Sequence, residues 1–72
     1  FDLPIATKIN LTIYNMLGQK VKTLKNSQLS AGYHLVNWNA TNDQGLPVSA
    51  GMYFYQIRTN EFVKTKKMLL LK

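Results

Sequence analysis

The sequence predicts an all-β domain folded as an antiparallel sandwich or small barrel. Apolar and polar residues alternate with period two almost throughout, and turn-forming residues separate the alternating runs at near-regular spacing. No stretch repeats apolar residues at i, i+3, i+4 and i+7 for long enough to make a helix.

The elements follow in order. Phe1-Asp2-Leu3-Pro4 reads as the tail of a strand, closed by Pro4, which has no N–H to give to a ladder. Residues 8–15 form a half-buried strand with Ile9, Leu11 and Ile13 on one face and Lys8, Asn10, Thr12 and Tyr14 on the other. Leu17-Gly18-Gln19 is a turn, with Gly18 free to take positive φ. Residues 20–24 resume the alternation with lysines toward solvent, and the small, polar residues 26–32 read as a loop. The next strand is 33–38, with Tyr33, Leu35 and Asn37 facing opposite to His34, Val36 and Trp38. Residues 39–50 carry the densest turn chemistry, Asn42-Asp43-Gln44-Gly45 supplying side-chain caps and a terminal glycine before Pro47. An aromatic and β-branched strand at 52–59, a reversal at Thr59-Asn60-Glu61 and a last strand at 62–71 complete the chain.

At 72 residues this is one domain, 1–72, small enough for its stability to be marginal. It has no cysteine and one histidine, so its core rests on the apolar side chains that make up 46% of the composition. Such modules are commonly attached to something larger, and the chain reads as a piece of a longer polypeptide. No run approaches the ~20 apolar residues of a membrane-spanning helix. The net charge of +6 favours an anionic partner without choosing among nucleic acid, polysaccharide and membrane surface.

Catalysis has little to work with. Asp2, Asp43 and Glu61 are the only carboxylates, and nothing in the spacing of Ser30, His34 and Asp43 supports the mutual hydrogen bonding of a triad. Asn42, Asp43 and Gln44 supply oxygen atoms, but a calcium loop gathers more carboxylates, so an Asx turn is the expectation there. Neither a metal nor another cofactor is expected. Tyr14, Tyr33, Trp38, Tyr53 and Tyr55 would make a platform for sugar rings or bases if they lay coplanar and exposed; packing inside a small sandwich is the commoner use of such residues. The most unusual stretch is the last one, Lys64-Thr65-Lys66-Lys67-Met68-Leu69-Leu70-Leu71-Lys72. It puts Lys64, Lys66, Met68 and Leu70 on one face and Thr65, Lys67, Leu69 and Leu71 on the other. It reads as a final strand with its last half buried, as a recognition tag, or as both.

Short pieces distributed almost end to end carry a resemblance. They are Phe1-Asp2-Leu3-Pro4; Leu11-Thr12-Ile13-Tyr14-Asn15 with Leu17-Gly18-Gln19-Lys20-Val21; Ser30-Ala31-Gly32-Tyr33-His34; and Val36-Asn37-Trp38-Asn39. After them come Asp43-Gln44-Gly45-Leu46-Pro47-Val48, Ser49-Ala50-Gly51-Met52-Tyr53-Phe54-Tyr55 and the ending from Lys66 to Lys72. In this order they resemble the type A C-terminal sorting domain of the type IX secretion system, itself similar to the immunoglobulin-like domain of the flagellar hook-capping protein. The resemblance implies an immunoglobulin-like antiparallel β-sandwich of about six to seven strands. It also implies the last module of a secreted or cell-surface protein, which directs an upstream cargo from the periplasm through the outer membrane. The partners implied are the outer-membrane translocon and a sortase-like peptidase that removes the domain. By position, Gly51, Met52 and Tyr53, with Lys66, Lys67, Met68, Leu69, Leu70, Leu71 and Lys72, match the signal-bearing motifs of that family. The family's Asn-Pro-Phe-Asn-Pro-like lead-in and full first strand have no counterpart before Phe1. The first strand is then either truncated or supplied by another chain through strand donation or dimerisation at its edge.

The competing readings are a hook-cap-like or stalk module mediating protein–protein contacts and an accessory carbohydrate-binding module of a secreted glycosidase. Nucleic-acid binding ranks last because the lysines are spread over several strands.

Overall fold

The computed structural model describes residues 1–71, which form six strands. They are β1 (Asp2–Leu3), β2 (Thr7–Tyr14), β3 (Lys20–Leu29), β4 (Gly32–Tyr33), β5 (Gly51–Arg58) and β6 (Val63–Leu70). All pairings are antiparallel: β1 with β4 in a small sheet, and β3-β2-β5-β6 in a four-stranded one. The described residues contain no helix.

β2 is central because its alternation is the strongest in the chain. Ile9, Leu11 and Ile13 are 1, 4 and 1% exposed, and each such burial stabilises the fold by roughly 1.5–3 kcal/mol. On β5, Tyr53, Tyr55 and Ile57 continue the same face, with Leu11 opposite Ile57 and Ile13 opposite Tyr55. Leu3 closes over Ile9, Leu11 and Ile57, and Phe1, Leu24, Leu29, Val36, Tyr55 and Phe62 pack around that cluster.

The two connections richest in turn residues share one construction. At 15–19, Asn15 donates its N–H to Gln19 O and accepts from Gly18 N, while its Oδ1 accepts from Leu17 N and Gln19 N. At 42–46, Asn42 donates to Leu46 O and accepts from Gly45 N, and its Oδ1 accepts from Gln44 N and Leu46 N. In each the glycine has φ near +80°, a conformation that costs an L side chain roughly 1–2 kcal/mol. The expected Asx turn at Asn42 is this motif.

β3 differs from the sequence expectation. Residues 26–29, read as loop, continue the strand and pair with Thr7–Asn10. A strand at a sheet edge needs few apolar side chains, because its ladder bonds are made by backbone alone; Asn26 and Gln28 face solvent. The register also skips Leu24 and Val21, two bulges that turn both side chains partly inward. The exposed side of this bulged edge is covered by the 42–46 turn: Asp43 N donates to Val21 O, and Thr23 N donates to Asp43 Oδ1, both at 3.1 Å.

The strand expected at 33–38 is paired only at Gly32 and Tyr33. Phe1 and His34 extend that ladder by exchanging both backbone bonds, at 2.7 and 2.8 Å. The in-and-out alternation nevertheless continues as predicted, with His34, Val36 and Trp38 half-buried and Leu35, Asn37 and Asn39 exposed. Among the described residues, 35–39 pair with no neighbouring strand.

Candidate functional site

The motif residues singled out by resemblance lie far apart in sequence and side by side in space. β5 and β6 pair so that Gly51 is opposite Leu70, Met52 opposite Leu69 and Tyr53 opposite Met68. Lys67 and Lys66 follow opposite Phe54 and Tyr55. Gly51 opens β5 at φ +146°, which lets the chain swing into the strand without a side chain in the way. Tyr53 is the buried member of the set: its hydroxyl donates to Ser49 O at 2.7 Å and its ring meets Trp38 edge-on, 5.2 Å between centroids. Lys66 and Lys67 are exposed on opposite faces of β6. Lys72 lies outside the described residues.

The end of β6 is less covered than expected. Only Met68 and Leu70 are half-buried, whereas Leu69 is 62% and Leu71 79% exposed. β6 is an edge strand with β5 on one side only, so the residues facing away from the core have nothing above them. Core-facing Lys64 and Lys66 remain exposed as well, because the small sheet does not extend over them. A groove of about 730 Å³ results, with Leu11, Ile13 and Ile57 on one side, Val36 and Trp38 on the other, and Lys64 and Lys66 along its length.

The remaining candidates resolve as structural. His34 Nε2–H donates to the carbonyl of Ser30, not to its hydroxyl, at 2.7 Å, and Asp43 is tied to β3, so Ser30, His34 and Asp43 form no triad. No group of three or more metal-ligating side chains occurs among the described residues. The aromatic residues make no flat platform: Trp38 is half-buried, donates its indole N–H to Thr41 O at 2.8 Å and stands at 72° to Tyr53. Tyr33, 71% exposed, has no aromatic neighbour in plane with it. No helix among the described residues is long and apolar enough to cross a membrane.

Two antiparallel sheets with this order of strands, their core built from the alternate residues of β2 and β5, define an immunoglobulin-like module. The chain belongs to the FlgD Ig-like domain family, whose model matches residues 4–61. That match ends just before β6, so the basic last strand lies beyond it. No curated protein and no solved structure matches the chain.

Sequence reasoning missed the solvent-facing side of the four-stranded sheet. Its residues come from four separate runs, and only the register brings them into rows. Asn26, Asn10, Arg58 and Val63 form one row, Thr23, Thr12, Gln56 and Thr65 the next, and Lys20, Tyr14, Phe54 and Lys67 a third.

Proposed function

We propose that this immunoglobulin-like module is a non-enzymatic C-terminal sorting domain of the type IX secretion kind, carrying an attached cargo through the outer membrane to the surface or medium. The observation that carries the reading is the pairing of Gly51, Met52 and Tyr53 with Leu70, Leu69 and Met68. Both motif pieces identified by resemblance then lie side by side in one two-stranded ribbon, whose outer strand β6 is an open sheet edge. Lysines flank that edge and apolar residues end it, a combination that a receptor reads by charge and by strand pairing together.

The test is an export assay. The domain, preceded by a family-type lead-in, is fused behind a fluorescent protein bearing an inner-membrane export signal, in a host with type IX machinery. Fluorescence reaches the surface or medium with the intact domain and stays in the periplasm when residues 66–72 are deleted. Periplasmic retention of both would leave the coarser function, a hook-cap-like or stalk module that makes protein contacts.

A further inference from the structure

The solvent side of the four-stranded sheet is a cationic, carboxylate-free surface whose rows share only Lys67 with the proposed sorting edge. Its three rows bring Lys20, Arg58 and Lys67 onto one face, with Lys8 farther along β2. Asp2 belongs to the other sheet, Asp43 is committed to the β3 edge, and Glu61 sits in the turn after β5. Cations on this face therefore meet no opposing charge within its rows.

Apart from Val63, Tyr14 and Phe54, the uncharged residues between them are of one chemical kind. Asn26, Asn10, Thr23, Gln56 and Thr65 bear carboxamides and hydroxyls that both donate and accept. Part of this array is already ordered: Arg58 Nη2 donates to Gln56 Oε1 at 3.2 Å, and Gln56 Nε2 donates to Thr65 Oγ1 at 3.1 Å. Arg58 is exposed, and its fixed fork suits a carboxylate or sulfate. A shallow groove of about 400 Å³ is lined by Arg58, Gln56 and Thr65 of this array, by Tyr14 and Phe54, and by Asn15, Met16 and Gly18 of the turn beside them.

We propose that this face binds a linear acidic polysaccharide. The spacing of the cations supports a sugar chain over a nucleic-acid strand. Lys20 and Lys67 lie three strand spacings apart, about 14 Å, and the Tyr14 row is four residues from the Arg58 row, about 13 Å. A polyuronate turns an acid group to the same side at every second or third sugar, and so can meet such widely set charges, with its hydroxyls falling on the amides and hydroxyls between. A single strand of nucleic acid has a phosphate at each nucleotide and needs successive aromatic rings for its bases. Here the aromatic residues occupy one row only.

Polygalacturonate, neutral dextran and poly(dT) serve as probes in affinity electrophoresis or biolayer interferometry at low and moderate salt. Polygalacturonate binds, weakens as salt rises, and is preferred over both others. The double substitution Lys20→Glu, Arg58→Glu weakens it at least about tenfold, while Lys25→Glu, Lys64→Glu, with the same change in net charge on the opposite side of the sheet, leaves it within about threefold. Far-UV circular dichroism checks that both variants are folded. Equal losses in the two variants would reduce the effect to net charge and overturn the assignment of the face. Tighter binding of poly(dT), or no binding of polygalacturonate, would overturn the choice of ligand. The assay is independent of export, so it stands or falls apart from the sorting role.

Discussion

Replacing Asn15 by alanine tests whether the two Asn-x-x-Gly turns hold the fold's register. The Asn15 Oδ1 accepts two backbone N–H bonds, from Leu17 at 2.9 Å and Gln19 at 3.0 Å, and its Nδ2 donates to Gln19 Oε1 at 2.9 Å. A hydrogen bond contributes a net ~0.5–1.5 kcal/mol. The turn is solvated, so water recovers part of what is lost, and Asn15→Ala should cost about 1–2 kcal/mol. In a domain this short, each kcal/mol lowers the melting temperature by about 4–8 °C. Asn15→Asp supplies the decisive comparison. It keeps an acceptor for both backbone N–H groups, and Gln19 can turn its amide to donate to the new carboxylate. The expected outcome is a melting temperature near that of the parent for aspartate and a clear drop for alanine, measured by thermal unfolding at pH 7. An equal fall in both variants would refute the idea that the acceptor oxygen organises the turn.

Two other substitutions follow from the fold. Ala40 holds φ +61° with a side chain that disfavours it, so Ala40→Gly should stabilise the domain by about 0.5–1 kcal/mol, once the greater freedom of glycine in the unfolded chain is subtracted; a raised urea midpoint checks this. Ile13 is 1% exposed at the centre of the main sheet, and Ile13→Ala should cost about 2–5 kcal/mol. A loss of that size would leave much of the protein unfolded at 37 °C, seen as collapsed dispersion in its amide NMR spectrum.

The residues that alternated most strictly were also the ones whose position could be read in advance. Ile9, Leu11 and Ile13 face the core because a buried face and a period of two leave a central strand no other arrangement. The same reasoning separated His34, Val36 and Trp38 from Tyr33, Leu35 and Asn37 without saying which face turns inward, and it could not show where the ladder stops, since pairing depends on a distant segment. Residues 26–29 were hidden by their polarity, which an edge strand tolerates. The bulges at Val21 and Leu24 have no local signature, and they decide which side of β3 meets the core. At the candidate site, the turn at Asn42 was legible from its residue types. The approach of Gly51–Tyr53 to Met68–Leu70 was not, because register joins segments that spacing treats as unrelated. For the same reason the row of Lys20, Tyr14, Phe54 and Lys67 emerged only with the sheet.

β6 contributes none of the nearly inaccessible side chains: Leu3, Ile9, Leu11, Ile13, Tyr53 and Ile57 all belong to other strands. It is held by one ladder with β5 and by the partial cover of Met68 and Leu70. Opening it exposes little apolar surface and breaks no central pairing, so β6 should exchange its amide hydrogens through local openings well below the global unfolding energy, while β2 exchanges only when the whole domain unfolds. The domain thus carries two stabilities in one chain, a durable body and a last strand that peels away and returns, and whatever captures that strand does so without waiting for the rest to unfold.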